Sequence, residues 1–96
     1  MRIRYTRQAI SDISAIAAYI RARNPSAAAD VETAFRSTIA LLSDHPQIGG
    51  DRPDLDARAL RIPRYPYTAY YRIEEEEIWI VHIRDDRRKP PERGEL

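Results

Sequence analysis

The 96-residue chain contains no cysteine, which excludes disulfides and thiolate metal sites. Lysine is nearly absent: Lys89 is the only one, so arginine carries almost all of the basic charge. No apolar run approaches the roughly 20 residues that a membrane helix needs. Residues 1–6 also lack the apolar core of a signal peptide. From these absences we expect a soluble, cytoplasmic protein.

Charge and length narrow the possibilities further. Lys and Arg together number 16 against 15 for Asp and Glu, and this near balance argues against a purely electrostatic nucleic-acid binder. The length allows one domain, residues 1–96, with no room for a second core. The residues from about 90 onward mix charges with proline, and we expect them to form a flexible tail.

Two amphipathic helices are predicted after a short edge strand at residues 2–5. Thr6 can cap a first helix that stops near Arg23, and Asn24 followed by Pro25 is a start signal for a second. The short link makes the two helices an antiparallel hairpin, and Asp12 is assigned to the polar side of the first. The apolar stripes comprise Ala9, Ile10, Ile13, Ile16, Ala17 and Ile20, then Val31, Ala34, Phe35, Thr38, Ile39 and Leu42.

The second half of the chain has the period of strands. Residues 47–56 are predicted as a loop, and strands follow at 57–62, 67–73 and 78–83. Glutamates 74–77 form an exposed hairpin tip. The last strand is apolar on both faces, so it is central and covered on both sides, or it is covered only when a partner is bound. The fold class is therefore α+β, with an N-terminal strand and a helical hairpin packed on a small antiparallel sheet.

Few residues suggest catalysis. Without cysteine, and with His45 and His82 in different settings, no nucleophilic triad is visible. His45 sits at a helix end, where a cationic side chain suits the helix dipole, and His82 is interpreted as an ordinary strand residue. No metal-ligand set or other cofactor motif is present. Arginines and tyrosines cluster between residues 58 and 72 and again after the last strand, a composition typical of phosphate contacts or of protein interfaces.

The motifs in order resemble those of ParE-type toxins of the RelE/ParE superfamily, over about residues 3 to 90. The similar segments are Arg4-Tyr5-Thr6, Ala9-Ile10-Ser11-Asp12-Ile13, Asn24-Pro25, Leu41-Leu42 with His45-Pro46 and Gly49, Arg58-Ala59-Leu60, Arg64-Tyr65-Pro66-Tyr67, Tyr70-Tyr71-Arg72-Ile73, and residues 80–88. The resemblance implies a toxin that binds and inhibits DNA gyrase and is neutralised by a ParD-like antitoxin in a hetero-oligomer. The alternative it leaves open is a RelE-type, metal-independent endoribonuclease that cuts messenger RNA in the ribosome. A third possibility is a homologue that only binds its antitoxin.

The residues favour the gyrase inhibitor over the nuclease. RelE-type toxins place lysines in the central loop and strand, and this chain has none there. Asp85 and Asp86 follow the last strand, where many relatives carry a histidine, and two carboxylates would repel a phosphate. No catalytic residue is therefore predicted for the inhibitor.

Three residue sets follow from these hypotheses. A nuclease would use Arg58, Arg61, Tyr65 and His82. The candidates for target contact are Arg58, Arg61, Arg84, Arg87, Arg88 and Lys89. The candidates for antitoxin contact, along the helical hairpin and the sheet face that bears Trp79, are Ile13, Ala17, Ile20, Trp79, Tyr70 and Arg72.

Overall fold

A computed structural model describes all 96 residues and has two helices on one face of a five-stranded sheet. The helices are α1 (Arg7–Arg21) and α2 (Pro25–Ala40), and the strands are β1 (Arg2–Tyr5), β2 (Gly50–Arg52), β3 (Ala57–Arg61), β4 (Tyr67–Glu74) and β5 (Glu77–Asp85). Single 3-10 turns cover Leu41–Ser43, Pro53–Leu55 and Arg93–Glu95. The predicted α+β class and helical hairpin are confirmed.

Both helices begin where the capping residues place them. The Thr6 hydroxyl accepts a hydrogen bond from the Ala9 N–H at 3.1 Å, and the Asn24 side chain accepts one from the Ala27 N–H at 3.2 Å, so each cap satisfies an N–H that lacks a partner within the helix. One stripe residue was predicted wrongly. Ile10 is 56% exposed because it lies on the flank of α1, about 100° around the helix from the fully buried Ala9.

The sheet is mixed, with strand order β1-β5-β4-β3-β2. β1 runs parallel to β5, from Arg2 opposite Glu77 to Tyr5 opposite Ile80, and the other neighbours are antiparallel. The prediction of a purely antiparallel sheet was therefore wrong at this edge. A parallel neighbour needs a long connection across a sheet face, and the helical hairpin that follows β1 begins that crossing.

The predicted loop at residues 47–56 contains the short strand β2, which pairs with β3. Three residues are too few to show a period of two, so the pattern could not reveal this strand. The hairpin between β4 and β5 is tighter than predicted. Glu75 and Glu76 alone form its turn, with φ of 50° and 64°, whereas Glu77 belongs to β5 and its carboxylate lies 3.2 Å from the Arg4 guanidinium.

The main core lies between the helices and the sheet. It joins the stripes of both helices to inward residues of all but the shortest strand, and the ring of Phe35 meets that of Tyr67 edge to face at 5.6 Å. At its margin the Tyr71 hydroxyl accepts from the Gly49 N–H at 3.0 Å and donates to the Pro46 carbonyl at 2.8 Å. These two bonds fasten the segment after α2 to the middle of the sheet.

A second apolar cluster, called the outer cluster below, covers the opposite face of the sheet. Its buried members are Leu55, Ala57, Tyr70 and Val81, and Ala59, Trp79 and Leu96 pack around them. The inference that the last strand is covered on both faces is confirmed within the chain itself. The tail after β5 turns back, forms a 3-10 turn and brings Leu96 onto the sheet. Its flexibility stays a prediction.

Candidate functional site

Helix α1 replaces a missing strand along half of β5. β1 ends opposite Ile80, so beyond that point β5 has a strand neighbour only on the β4 side. There the Thr6 hydroxyl donates to the Val81 carbonyl at 3.1 Å, and an Asp12 oxygen accepts from the Ile83 N–H at 2.9 Å. Side chains of the helix thus satisfy backbone groups that an open sheet edge would expose.

The same Asp12 oxygen accepts a hydrogen bond from Nδ1 of His82. Both side chains are largely buried, with 13% of Asp12 and 12% of His82 exposed. Because one carboxylate oxygen holds two donors, the imidazole is fixed in orientation and only Nε2 remains for other contacts. The assignment of Asp12 to the polar side of α1 was therefore wrong: it flanks the apolar stripe, four residues before Ile16.

A groove of about 780 Å³ runs between α1 and this half of β5. We call it the α1–β5 groove. Its walls combine apolar, aromatic and charged side chains: Asp12, Ala15, Ile16, Tyr19, Tyr67, His82, Ile83, Arg84, Asp85, Arg87 and Arg88. Tyr19 projects from α1 with 57% of its surface exposed. A concave surface with an exposed aromatic residue and convergent polar groups is what ligand and partner sites present.

Ion pairing at the groove rim neutralises much of its charge. Arg87 contacts both oxygens of Asp85, at 2.9 and 2.8 Å, and this hydrogen bonding lowers the pKa of Asp85 to about 2. Burial raises the pKa of the nearby Tyr67 hydroxyl, so the phenol stays protonated. Arg88 has neither a hydrogen bond from its side chain nor a salt bridge. The rim therefore offers one uncommitted cation.

Most arginines proposed for target contact are engaged within the molecule. Arg58 donates to the Gly49 and Gln47 carbonyls at 3.1 and 3.2 Å. Arg61 lies 2.5 Å from Asp86.

Three of the four remaining residues proposed for target contact also have partners within the molecule. Arg84 pairs with Glu95 at 3.1 Å, and Lys89 lies 3.5 Å from Glu92. With Arg87 held by Asp85, only Arg88 of the six is free. These pairs also neutralise the two carboxylates, Asp85 and Asp86, on which the argument against a phosphate site rested.

The residues proposed for a nuclease are not brought together. His82 lines the α1–β5 groove, but Arg58, Arg61 and Tyr65 do not. Tyr65 packs against the main core instead. Sequence reasoning missed Asp12, the one residue that orients His82, because no motif marks it.

The residues proposed for antitoxin contact fall into two groups. Ala17 is buried, and Ile13 and Ile20 are partly buried and pack against the main core, so these residues leave little surface for a partner. The large apolar residues that α1 exposes to solvent are Ile10 and Tyr19.

The second group lies on the outer face of the sheet. Tyr70 is buried in the outer cluster and Trp79 packs beside it. Arg72 donates to the Asp56 carbonyl at 2.7 Å, and the Arg4 guanidinium lies 5.3 Å from the centre of the Trp79 ring, a cation–π distance.

Neither helix is long and apolar enough to cross a membrane. No three His, Asp or Glu side chains converge in a way that could hold a metal ion.

Comparisons with known proteins agree with this architecture. A solved structure described as the chromosomal ParDE TA system from P. aeruginosa matches with a TM-score of 0.78 and 26% sequence identity, covering 88% of this chain and 95% of that one. No curated protein matches significantly. The fold is thus that of a toxin from a type II toxin–antitoxin system. The family model for the ParE toxin of the type II toxin–antitoxin system parDE matches residues 3–90, and the chain belongs to this ParE toxin family.

Proposed function

We propose that this protein inhibits DNA gyrase by binding to it, stalling the enzyme on cleaved DNA, and that a ParD-like antitoxin neutralises it in a cytoplasmic hetero-oligomer. The observation that carries the proposal is the family match over residues 3–90. The scattered nuclease set supports it, because inhibition by binding needs surfaces rather than an assembled catalytic site.

The surface we propose for gyrase lies at the end of the sheet where β5 finishes. Arg88 is free there, and Arg61 and Arg87 are held by surface ion pairs, with 67% and 66% of their side chains exposed. Such pairs contribute only about 0–1 kcal/mol each, so a partner can recruit these arginines at little cost. Arg58 is a weaker candidate because it anchors the backbone at Gly49 and Gln47.

For the antitoxin we propose the exposed side of α1 and the outer face of the sheet. Tyr19 offers an aromatic anchor at the mouth of the α1–β5 groove, and aromatic anchors dominate protein interfaces. Trp79, Tyr70 and Arg72 provide the second area. An antitoxin segment that wraps the toxin would use both.

The test is a supercoiling assay with purified gyrase and this protein, with and without the antitoxin encoded beside it. We expect inhibition that the antitoxin relieves, and weaker inhibition by Arg88→Ala. A matched control is Arg7→Ala. Arg7 also makes no salt bridge, but it lies outside the surface proposed for gyrase. Full gyrase activity at a large molar excess of toxin, together with growth arrest in cells, would refute the proposal.

One observation favours a second candidate, the ribosome-dependent endoribonuclease. His82, oriented by Asp12 in a groove whose rim carries Arg88, has the arrangement of a general base held by a carboxylate. Primer extension on translated messages after induction distinguishes the two. Cuts within codons that disappear in His82→Ala support the nuclease, and uncut messages exclude it.

A further inference from the structure

The last residues of the chain, 90–96, lie across the outer face of the sheet, and we call them the 90–96 strap. Leu96 and Trp79 both pack against the outer cluster, and Pro91 is buried. The strap lies almost wholly beyond residues 3–90, which match the ParE family model.

The polar contacts of the strap are made with basic side chains of β4, of β5 and of the segment that follows β5. Glu95 accepts from Arg84 at 3.1 Å, and Glu92 lies 3.5 Å from Lys89. Arg72 donates to the Leu96 carbonyl oxygen at 3.4 Å. The strap therefore combines acidic side chains with an apolar side chain at its end, Leu96, that packs on the outer cluster.

These contacts are individually weak. The Lys89 and Glu92 side chains are 81% and 73% exposed, and Glu95 is 46% exposed. Ion pairs of this exposure contribute little, and apolar contact is limited to Pro91 near the start of the strap and Leu96 at its end. A segment held in this way opens readily, because local stability falls where few buried contacts hold the backbone.

We propose that the 90–96 strap is an intramolecular competitor for the surface formed by Trp79, Tyr70, Arg72 and Arg84. A partner segment that carries carboxylates next to an apolar side chain displaces it. This inference rests on the proposed function in one respect, that the displacing partner is the antitoxin. A toxin whose surface is open only part of the time binds with an affinity reduced by that fraction.

Trp79 is a probe for the strap, because it packs against the same outer cluster as Leu96 and is the only tryptophan in the chain. In Leu96→Ser the apolar anchor is lost, and we expect Trp79 emission to shift to longer wavelength and quenching by acrylamide to rise. Arg93→Ala is the matched control, since the Arg93 side chain makes no hydrogen bond or salt bridge, and its spectrum should equal that of the parent. Glu95→Gln, which leaves Leu96 in place, should give a smaller shift. Spectra of Leu96→Ser identical to the parent would refute docking of the strap.

Binding of the antitoxin encoded beside this chain tests the competition. We expect Leu96→Ser to bind the antitoxin about three- to tenfold more tightly than the parent, because the strap covers the surface in most parent molecules and the substitution removes it. Arg93→Ala should bind like the parent. Equal or weaker binding by Leu96→Ser would overturn the competition while leaving the proposed function intact. An antitoxin that binds none of the three proteins would instead refute the proposed function, and with it the identity of the displacing partner.

Discussion

Replacing Asp12 with alanine should destabilise the protein more than replacing any other polar residue of α1. One oxygen of Asp12 accepts from the Ile83 N–H and from His82 Nδ1. Ile83 is 3% exposed, so its N–H finds no water when the carboxylate is removed. A buried donor left without an acceptor costs about 1–3 kcal/mol.

The expected net effect follows from three contributions. The Ile83 N–H accounts for about 1–3 kcal/mol, and the loss at His82 adds roughly 1 kcal/mol because the 12% exposed imidazole can recruit water. Alanine is the better helix former and returns about 0.5 kcal/mol. Asp12→Ala should therefore lower the free energy of unfolding by about 1.5–3.5 kcal/mol, and Asp12→Asn, which keeps one acceptor, by about half of that.

The assay is urea denaturation at pH 7, followed by Trp79 fluorescence and far-ultraviolet circular dichroism. Asp30→Ala is the matched control, because Asp30 is an exposed helical aspartate that makes no salt bridge or side-chain hydrogen bond, and it should change stability by less than about 0.5 kcal/mol. If Asp12→Ala and Asp30→Ala have the same stability, the link between α1 and β5 does not work as described.

Three further changes test other parts of the structure. Gly49→Ala should cost about 1–3 kcal/mol in urea denaturation, since its Cβ would lie 2.7 Å from the Tyr71 ring and hydroxyl; Gly50→Ala, with open space around it, is the control. Thr6→Ala should cost about 1–2 kcal/mol because it removes a helix cap, and Thr6→Ser should retain most of the stability. Arg87→Ala should lose more stability at pH 7 than at pH 2.5: the pKa of Asp85 is lowered to about 2 in the folded protein, so this contribution is present above its unfolded value of about 3.9 and is lost as pH falls towards about 2. If the loss of stability in Arg87→Ala is the same at both pH values, the ion pair with Asp85 does not contribute as described.

Much of the fold could be predicted because local signals agreed with one another. Thr6 and Asn24 mark helix starts whatever surrounds them, since a cap acts within one turn. The strands of the second half are long enough to show a period of two, and β5 is apolar on both faces because two clusters cover it.

The missed features depend on contacts between distant residues. The pairing of β1 with β5 joins residues more than 70 positions apart, and no local pattern encodes its direction. Ile10 fits the helical stripe by spacing but lies at its flank, where α1 no longer faces the sheet.

The site was the least predictable part, because partners decide what a charged residue can do. Arg61, Arg84 and Arg87 looked available for a target, yet each has a carboxylate partner that the fold supplies. Asp12 looked like a solvated helix residue, yet the end of β1 leaves a gap in the sheet edge that it fills. Such pairings become visible only when the tertiary contacts are known.

The most direct test of the central claim is to measure gyrase trapped on cleaved DNA. Purified toxin is added to gyrase and supercoiled plasmid, and linear DNA is quantified after the protein is denatured and digested. Linear DNA that accumulates with toxin, and disappears when the antitoxin is added first, is the result we predict. The account would be contradicted if the plasmid stays uncleaved at every toxin concentration while the same toxin arrests growth in cells.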